Sequence, residues 1–316
     1  MAWCMLRKLG SRAGLRMPQA SSAPCGGGAP QKLRYLVACA KKRCMGRCSS
    51  CPSCGWPDSV VVDRKFLVTS LRRCRSCQLL FRAPTTTPEE NAAFYQSSYK
   101  WGFITDLPDD RRLKAFVDAG FAGTERDYSV RIDILRAAGV ADGSRVLDFG
   151  CSWGYGSWQL KRSGFDVEGF EISAPRAQFA RQKLGLTVHT SLADVPGPFD
   201  AVISCNVLEH VPSVGGAIRF VFGVLRAGGL FMAVTSNGSA GFRELSPTAW
   251  RKRWGFIHPN MLDDTFYRSY FAGGPILLAS DPYPMAKLHA WAAAPRGVCV
   301  ADQLRGAELL VLAKKV

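Results

Sequence analysis

From Ser144 onward the chain alternates short apolar runs with amphipathic segments, and this alternation restricts the fold more than any other feature. The runs at 145–149, 166–170, 186–189, 199–204, 229–235, 275–280 and 307–313 are short and apolar, which predicts strands. Helical spacing occupies 156–163, 174–184, 213–226 and 263–272 between them. Strands linked through helices join by right-handed crossovers, so the pattern predicts α/β architecture: a Rossmann-like, mainly parallel sheet of seven strands with helices on both faces. Such sheets bind ligands beyond the carboxyl ends of their strands, and the first loop there is LDFGCSWGYG, residues 147–156.

A glycine-rich loop of this kind could cradle a dinucleotide pyrophosphate or an adenosyl amino acid. The glycines Gly150, Gly154 and Gly156 read G-x-x-x-G-x-G, which is not the G-x-G-x-x-G dinucleotide spacing. Asp148 decides further, because its carboxylate would stand close to any pyrophosphate. Like charges repel there by several kcal/mol, at an effective dielectric of about 20. A cofactor carrying an ammonium and a sulfonium suits Asp148, and its own carboxylate can use the positive end of the following helix. Glu171, in VEGFEIS at the end of the second strand, can accept both hydroxyls of a ribose.

The front of the chain differs in composition. Residues 1–82 carry 16 of the 41 Lys and Arg against Asp58 and Asp63, so most of the net charge of +16 lies there. Such a segment could meet nucleic acid, anionic lipid or phosphorylated substrates, or could simply be solvated. Nine of the 12 cysteines also precede residue 78. CPSC at 51–54 and CRSC at 74–77 match the spacing of a zinc ribbon, with Cys51, Cys54, Cys74 and Cys77 as ligands of a closed, structural Cys4 site. Val60 to Val62 and Phe66 to Val68 predict its two strands, and Gly55 permits the first knuckle's positive φ. Cys44 and Cys48 offer competing thiolates, and an iron–sulfur cluster is the alternative cargo.

The expected organisation is a basic, disordered leader over 1–45, the ribbon over 46–84, a helical connector or lid over 85–138, and the α/β domain over 139–316. In the connector, Thr87 and Pro88 predict a helix start. Phe94, Tyr95, Tyr99, Trp101 and Phe103 supply packing or a lid. No apolar run reaches the roughly 18 to 20 residues needed to cross a bilayer, and the expected location is cytoplasmic.

The segments VLDFGCSWGYG, GFEIS, FDAVISCNVLEHV and LRAGGLFMAVTSN together resemble the strand motifs of the class I S-adenosylmethionine-dependent methyltransferases, across about residues 140–240. The resemblance implies that Asp148, Gly150, Cys151 and Gly154 approach the methionine part of the cofactor. It further implies that Glu171 binds ribose, that Leu192 flanks adenine, and that Asn206 lines the floor near the methyl group. Cys151 and Trp153 are bulkier than the residues usual in that loop. With the preceding ribbon, the chain is similar to zinc-ribbon methyltransferases of cell-surface glycan synthesis and to sugar C-methyltransferases with a Cys4 module, which implies a small-molecule or glycan acceptor.

Few groups could move a proton. His210, in NVLEH after the fourth strand, is the candidate base, with the alternative that Glu209 and His210 only fix the next helix start. His258, in RKRWGFIHPN, belongs to an insertion over the strand ends, where Trp254 and Asn260 could face a sugar and Arg251, Lys252 and Arg253 a phosphate. His189 reads as a strand-end residue and His289 as packing. Two other functions stay open: an RNA methyltransferase gripping phosphates with its basic ribbon, and a non-catalytic protein that only binds the cofactor. The first lacks a stacking aromatic after the fourth strand for a flipped base.

Overall fold

The computed structural model describes residues 29–45, 50–98 and 106–316. The chain starts with α1 (Ala29–Cys44), then a ribbon of β1 (Ser59–Lys65), β2 (Thr69–Cys74) and β3 (Leu80–Ala83). The connector contributes α2 (Pro88–Ala93), a π-helical turn (Phe94–Ser98), α3 (Asp110–Asp118) and α4 (Ser129–Ala137). The α/β part runs β4 (Arg145–Phe149), α5 (Tyr155–Arg162), β5 (Asp166–Phe170), α6 (Ala174–Leu184), β6 (Thr187–His189), β7 (Phe199–Cys205), α7 (Val214–Val224) and β8 (Leu225–Ser236). It continues with α8 (Ala240–Leu245), α9 (Pro247–Arg253), β9 (Asn260–Met261), α10 (Asp264–Tyr270), β10 (Ile276–Ser280), α11 (Met285–Ala293), β11 (Val298–Val300) and β12 (Glu308–Lys314).

The large sheet has the order β11-β10-β12-β8-β7-β4-β5-β6. Strands β8, β7, β4, β5 and β6 run parallel, whereas β12 is antiparallel to both β8 and β10. The chain leaves β4 towards β5 and β6, then returns to the other side of β4 as β7. The order therefore reverses between β4 and β7, and a crevice opens at their carboxyl ends. Two apolar layers cover the sheet. One joins Leu147, Val202 and Phe231 to α7 and α10, and the other joins Val146, Ile203 and Met232 to α4, α5 and α11.

Seven of these eight strands coincide with the expected ones. The eighth, β11, has only three residues, too few for a periodic signal, and pairs at the edge with β10. In the ribbon, Phe66, Leu67 and Val68 form the hairpin turn and not a strand. Phe66 and Leu67 adopt φ values of 53° and 60°, and Leu67 is 91% exposed. The apolar triplet looks like a strand, but a tight β1–β2 connection needs positive φ at its tip.

Within the expected leader, the described residues Ala29–Cys44 form the helix α1. Cys39 is buried, Tyr35 packs on Phe256 with ring centroids 4.8 Å apart, and Lys42 pairs with Glu90. Residues 1–28, Cys48, Tyr99, Trp101 and Phe103 lie outside the described residues. In α2, Thr87 and Glu90 complete a capping box, with Pro88 opening the helix as its sequence predicts.

The ribbon is not a free-standing appendage. Its third strand, β3, pairs with β9 of the insertion, setting Phe81 opposite Asn260 and Leu80 opposite Met261. Buried Arg82 donates to Gly255 O at 3.1 Å and to Thr86 Oγ1, while its own amide donates to Pro259 O at 2.7 Å. Lys65 caps the carbonyls of Arg251 and Trp254, and Asp63 Oδ2 accepts from Arg251 Nε at 3.0 Å and Trp254 Nε1 at 3.2 Å. The insertion expected to lie over the strand ends is thus gripped along 251–261. Breaking one grip should loosen it locally. Asp63→Ala is expected to cost about 1–2 kcal/mol, because both donors lose their charged acceptor. Amide hydrogen exchange should then accelerate over 247–258 and stay unchanged in β4 and β5.

Candidate functional site

A cleft opens where the strand order reverses. Its lining includes Gly150 and Ser152 from the loop after β4, Glu171 and Arg176 from the end of β5 and the start of α6, and Asn206 and His210 after β7. Asn91 of α2 and Tyr95 of the turn that follows it close the cleft from the connector. Gln96 fastens that turn by donating to Ile172 O at 2.6 Å. Sequence reasoning read Tyr95 only as packing or lid and did not pick out Asn91, Ser152 or Arg176. A capped helix gives no signal of what its far end will face.

Backbone geometry shapes the floor. Gly150 has φ 87°, and a Cβ there would lie 2.4 Å from Val207 Cγ2, so only glycine lets the loops after β4 and β7 meet. Asn206 takes φ 55°, a left-handed conformation that asparagine tolerates better than most residues. Its amide donates to Val234 O at 2.8 Å.

The bulky residues of LDFGCSWGYG turn away from the cleft. Cys151 is buried with Ala177, Ala180 and Val188 against α6. Trp153 is fully buried, its ring 6.0 Å from Phe121 and 5.7 Å from Phe179, and Tyr155 meets Tyr128 edge to face. Their bulk therefore fills the core and leaves the cleft open. Gly154 starts α5 at φ 89°, and a Cβ there would collide with Leu186 and Ala180. Of the seven expected cofactor contacts, Gly150, Glu171 and Asn206 share the cleft. Asp148, Cys151, Gly154 and Leu192 do not line it, and Leu192 lies 42% exposed at the surface after β6.

The acids are held in different ways. Glu171 accepts the amide of Ser173 at 2.7 Å on Oε1 and that of Ser152 at 3.0 Å on Oε2. A carboxylate offers about four lone-pair directions, so each oxygen keeps capacity for a hydroxyl. Burial raises its pKa, partly offset by these amides and by Arg176. Asp148 is 1% exposed and takes the Ser157 hydroxyl at 2.7 Å. Burial above all, with Glu171 adding, lifts its carboxyl to about 7.

His210 and His258 come together, their ring centroids 4.6 Å apart at 78°. His210 Nδ1 lies 3.1 Å from Ile257 O and His258 Nδ1 2.7 Å from Arg253 O. Burial lowers both, His258 to about 4 and His210 well below its ordinary value, so both rings are neutral at pH 7. His189 pairs with Glu168 at 2.7 Å on the neighbouring strand, in the strand-end position expected for it.

The four ribbon cysteines converge. Sγ of Cys51 lies 3.5 Å from Cys77 and that of Cys54 3.6 Å from Cys74, with all four within 4.8 Å of one another. Metal–sulfur bonds of about 2.3 Å at tetrahedral angles put sulfurs about 3.8 Å apart, so the cluster fits one metal ion. Cys44, at the end of α1, is exposed and does not belong to this group.

Known proteins similar to this chain are described as methyltransferases. Residues 123–272 match a family model described as a methyltransferase domain. The ubiquinone biosynthesis O-methyltransferase of Xanthomonas campestris pv. campestris (strain B100) is 33% identical over 124 residues, 36% of this chain and 52% of that protein. The enzyme of the same name from Caulobacter sp. (strain K31) is 32% identical over 136 residues, covering 40% of this chain and 51% of that protein. The chain thus spans about half the length of the curated relatives it matches. Among solved structures, magnesium protoporphyrin IX methyltransferase from Synechocystis PCC 6803 overlays with a TM-score of 0.46 at 18% identity, over 71% of this chain and 98% of that one. Among the described residues no helix is long and apolar enough to cross a membrane.

Asp148 sets a pH dependence. Its folded pKa of about 7 lies above the ordinary 3.8, so the stability that its buried neutral form contributes is lost as pH rises from about 4 through 7. A cationic ligand that needs the carboxylate must expel that proton. Affinity for S-adenosylmethionine is therefore expected to rise by up to about tenfold between about pH 6 and 7.5, below the ordinary α-amino titration. Calorimetry should find this slope flattened in Asp148→Asn; an equal slope in that variant would remove Asp148 from the account.

Proposed function

We propose that this chain, which carries a class I methyltransferase domain over residues 123–272, transfers a methyl group from S-adenosylmethionine to an oxygen of a small-molecule or glycan acceptor. The observation that carries the reading is the convergence of Gly150, Glu171 and Asn206 on one cleft at the strand-order reversal. Bound there, the cofactor supplies an activated methyl group on a positively charged sulfur.

In this reading each residue has a physical task. Glu171, already pinned by two amides, accepts the ribose hydroxyls without having to reorganise. Gly150 admits the methionine part past Val207, and Asp148 supplies negative potential for its ammonium. Tyr95 and Asn91 cover the cleft and limit water. Little more than in-line placement of the acceptor is then required, since alignment alone accounts for a large part of such rate enhancements.

The curated relatives are named as O-methyltransferases, which supports an oxygen acceptor. The Cys4 group is read as a structural zinc site held by Cys51, Cys54, Cys74 and Cys77, with no open position and no part in the chemistry. Its task is to hold β3 and so to fix the 251–261 insertion beside the cleft. The charge of the ribbon is in part spent on such contacts, as with Lys65, Arg72, Arg73 and Arg82, which favours positioning over gripping RNA.

The test is to incubate the protein with methyl-labelled S-adenosylmethionine and separated pools of cell extract. Label is expected in the small-molecule or glycan pool, in an alkali-stable ether linkage. Label confined to RNA, or cofactor binding with no transfer to any pool, would overturn the reading.

A further inference from the structure

Three side chains next to the cleft form a cluster that cofactor binding does not use. Glu209, His210 and His258 bring one carboxylate oxygen and one nitrogen from each ring within 4.8 Å of one another. We propose that they hold a divalent transition-metal ion whose open positions face the acceptor, and that the acceptor offers it a hydroxyl oxygen. The acceptor half of this proposal rests on the methyl-transfer reading; the metal half stands apart from it.

Each group is prepared for a cation. Glu209 is 1% exposed, and its Oε1 accepts the Ser236 amide at 3.0 Å, while Oε2 has no hydrogen-bond partner. A buried carboxylate oxygen without a partner is costly unless a cation compensates it. Both histidines direct Nδ1 at a backbone carbonyl, Ile257 O for His210 and Arg253 O for His258. A carbonyl can only accept, so the proton sits on Nδ1 and the lone pair on Nε2. This is the arrangement in which outer contacts orient imidazoles for a metal.

Two histidines and a glutamate make up a three-ligand set that leaves positions for substrate, as in catalytic zinc sites. Metal bonds of about 2.1 Å place tetrahedral ligands about 3.4 Å apart, a separation that the 4.8 Å spread of one ligand atom from each of these residues approaches. The third ligand arrives on the insertion that the ribbon grips, so the Cys4 module positions His258. His210 lines the cleft, which turns the ion's open side to the acceptor.

A hydroxyl bound to such an ion loses its proton to solvent near neutral pH. Its lone pair then forms the O–CH3 bond as the S–CH3 bond breaks. The bonding pair remains on sulfur, which leaves as a neutral thioether.

The test reads metal content and not turnover, so failure of methyl transfer would leave it interpretable. Metal-free full-length protein is reconstituted with Co2+, dialysed, and examined by metal analysis and absorption. About two equivalents per chain are expected, one with thiolate-to-cobalt charge-transfer absorption and one without. Glu209→Gln and His258→Ala should each fall to about one equivalent, keeping the thiolate band and the wild-type S-adenosylmethionine affinity, which reports an intact fold. A single thiolate-bound equivalent in the wild type, or wild-type stoichiometry in both variants, would overturn the proposal.

Discussion

The crevice between β4 and β7 depends on a close contact: the backbone of Gly150 against the side chain of Val207, too near for even one added methyl group. This approach draws together the two loops that leave the sheet in opposite directions. It needs the positive φ of Gly150 on one side and the left-handed Asn206 on the other. From that contact follow the floor of the cleft, the reach of Glu171 towards it and the placing of His210 at its edge. Left-handed backbone at Gly150, Ser152 and Asn206 beside a strand-order reversal is where a binding site is expected to be built.

A second dependence runs through the ribbon. Four sulfurs fix β2 and its neighbouring knuckles, β2 fixes β3, and β3 pairs with β9. Asn260 of β9 then ties back to the NVLEH loop, its amide donating to Glu209 O at 3.2 Å and its Nδ2 to Val211 O at 2.7 Å. The Cys4 cluster and the NVLEH loop thus share one chain of strand pairings and hydrogen bonds. The small module also packs on the insertion, Leu71 and Leu80 of the ribbon sharing one buried cluster with Trp250, Trp254 and Met261.

Much of this was legible in the sequence where the signal was periodic or local. The parallel strands, their helices, the Thr87 cap and the Cys4 spacing all depend on neighbours within a few residues. The alternatives for the glycine-rich loop could be weighed because the acids at 148 and 171 are read directly from the sequence, although how readily they ionise is set by burial. What stayed hidden was direction and distance. Nothing local says that Cys151 and Trp153 point into the core, since that follows from what α3 and α6 place against them. The β3–β9 pairing joins Phe81 to Asn260 across the chain, and its two-residue partner strand is too short to carry a pattern. Likewise Glu209 and His258 meet only because the ribbon carries the insertion back over the strand ends. Leu192, placed from the resemblance, is 42% exposed after β6.

The most direct measurement is equilibrium dialysis of labelled S-adenosylmethionine against the wild-type chain and Glu171→Ala. The account predicts about one equivalent bound by the wild type and a loss of at least about tenfold in affinity in the variant, from two missing charge-assisted hydrogen bonds. A wild-type chain that binds none, or a variant that binds equally well, would contradict it.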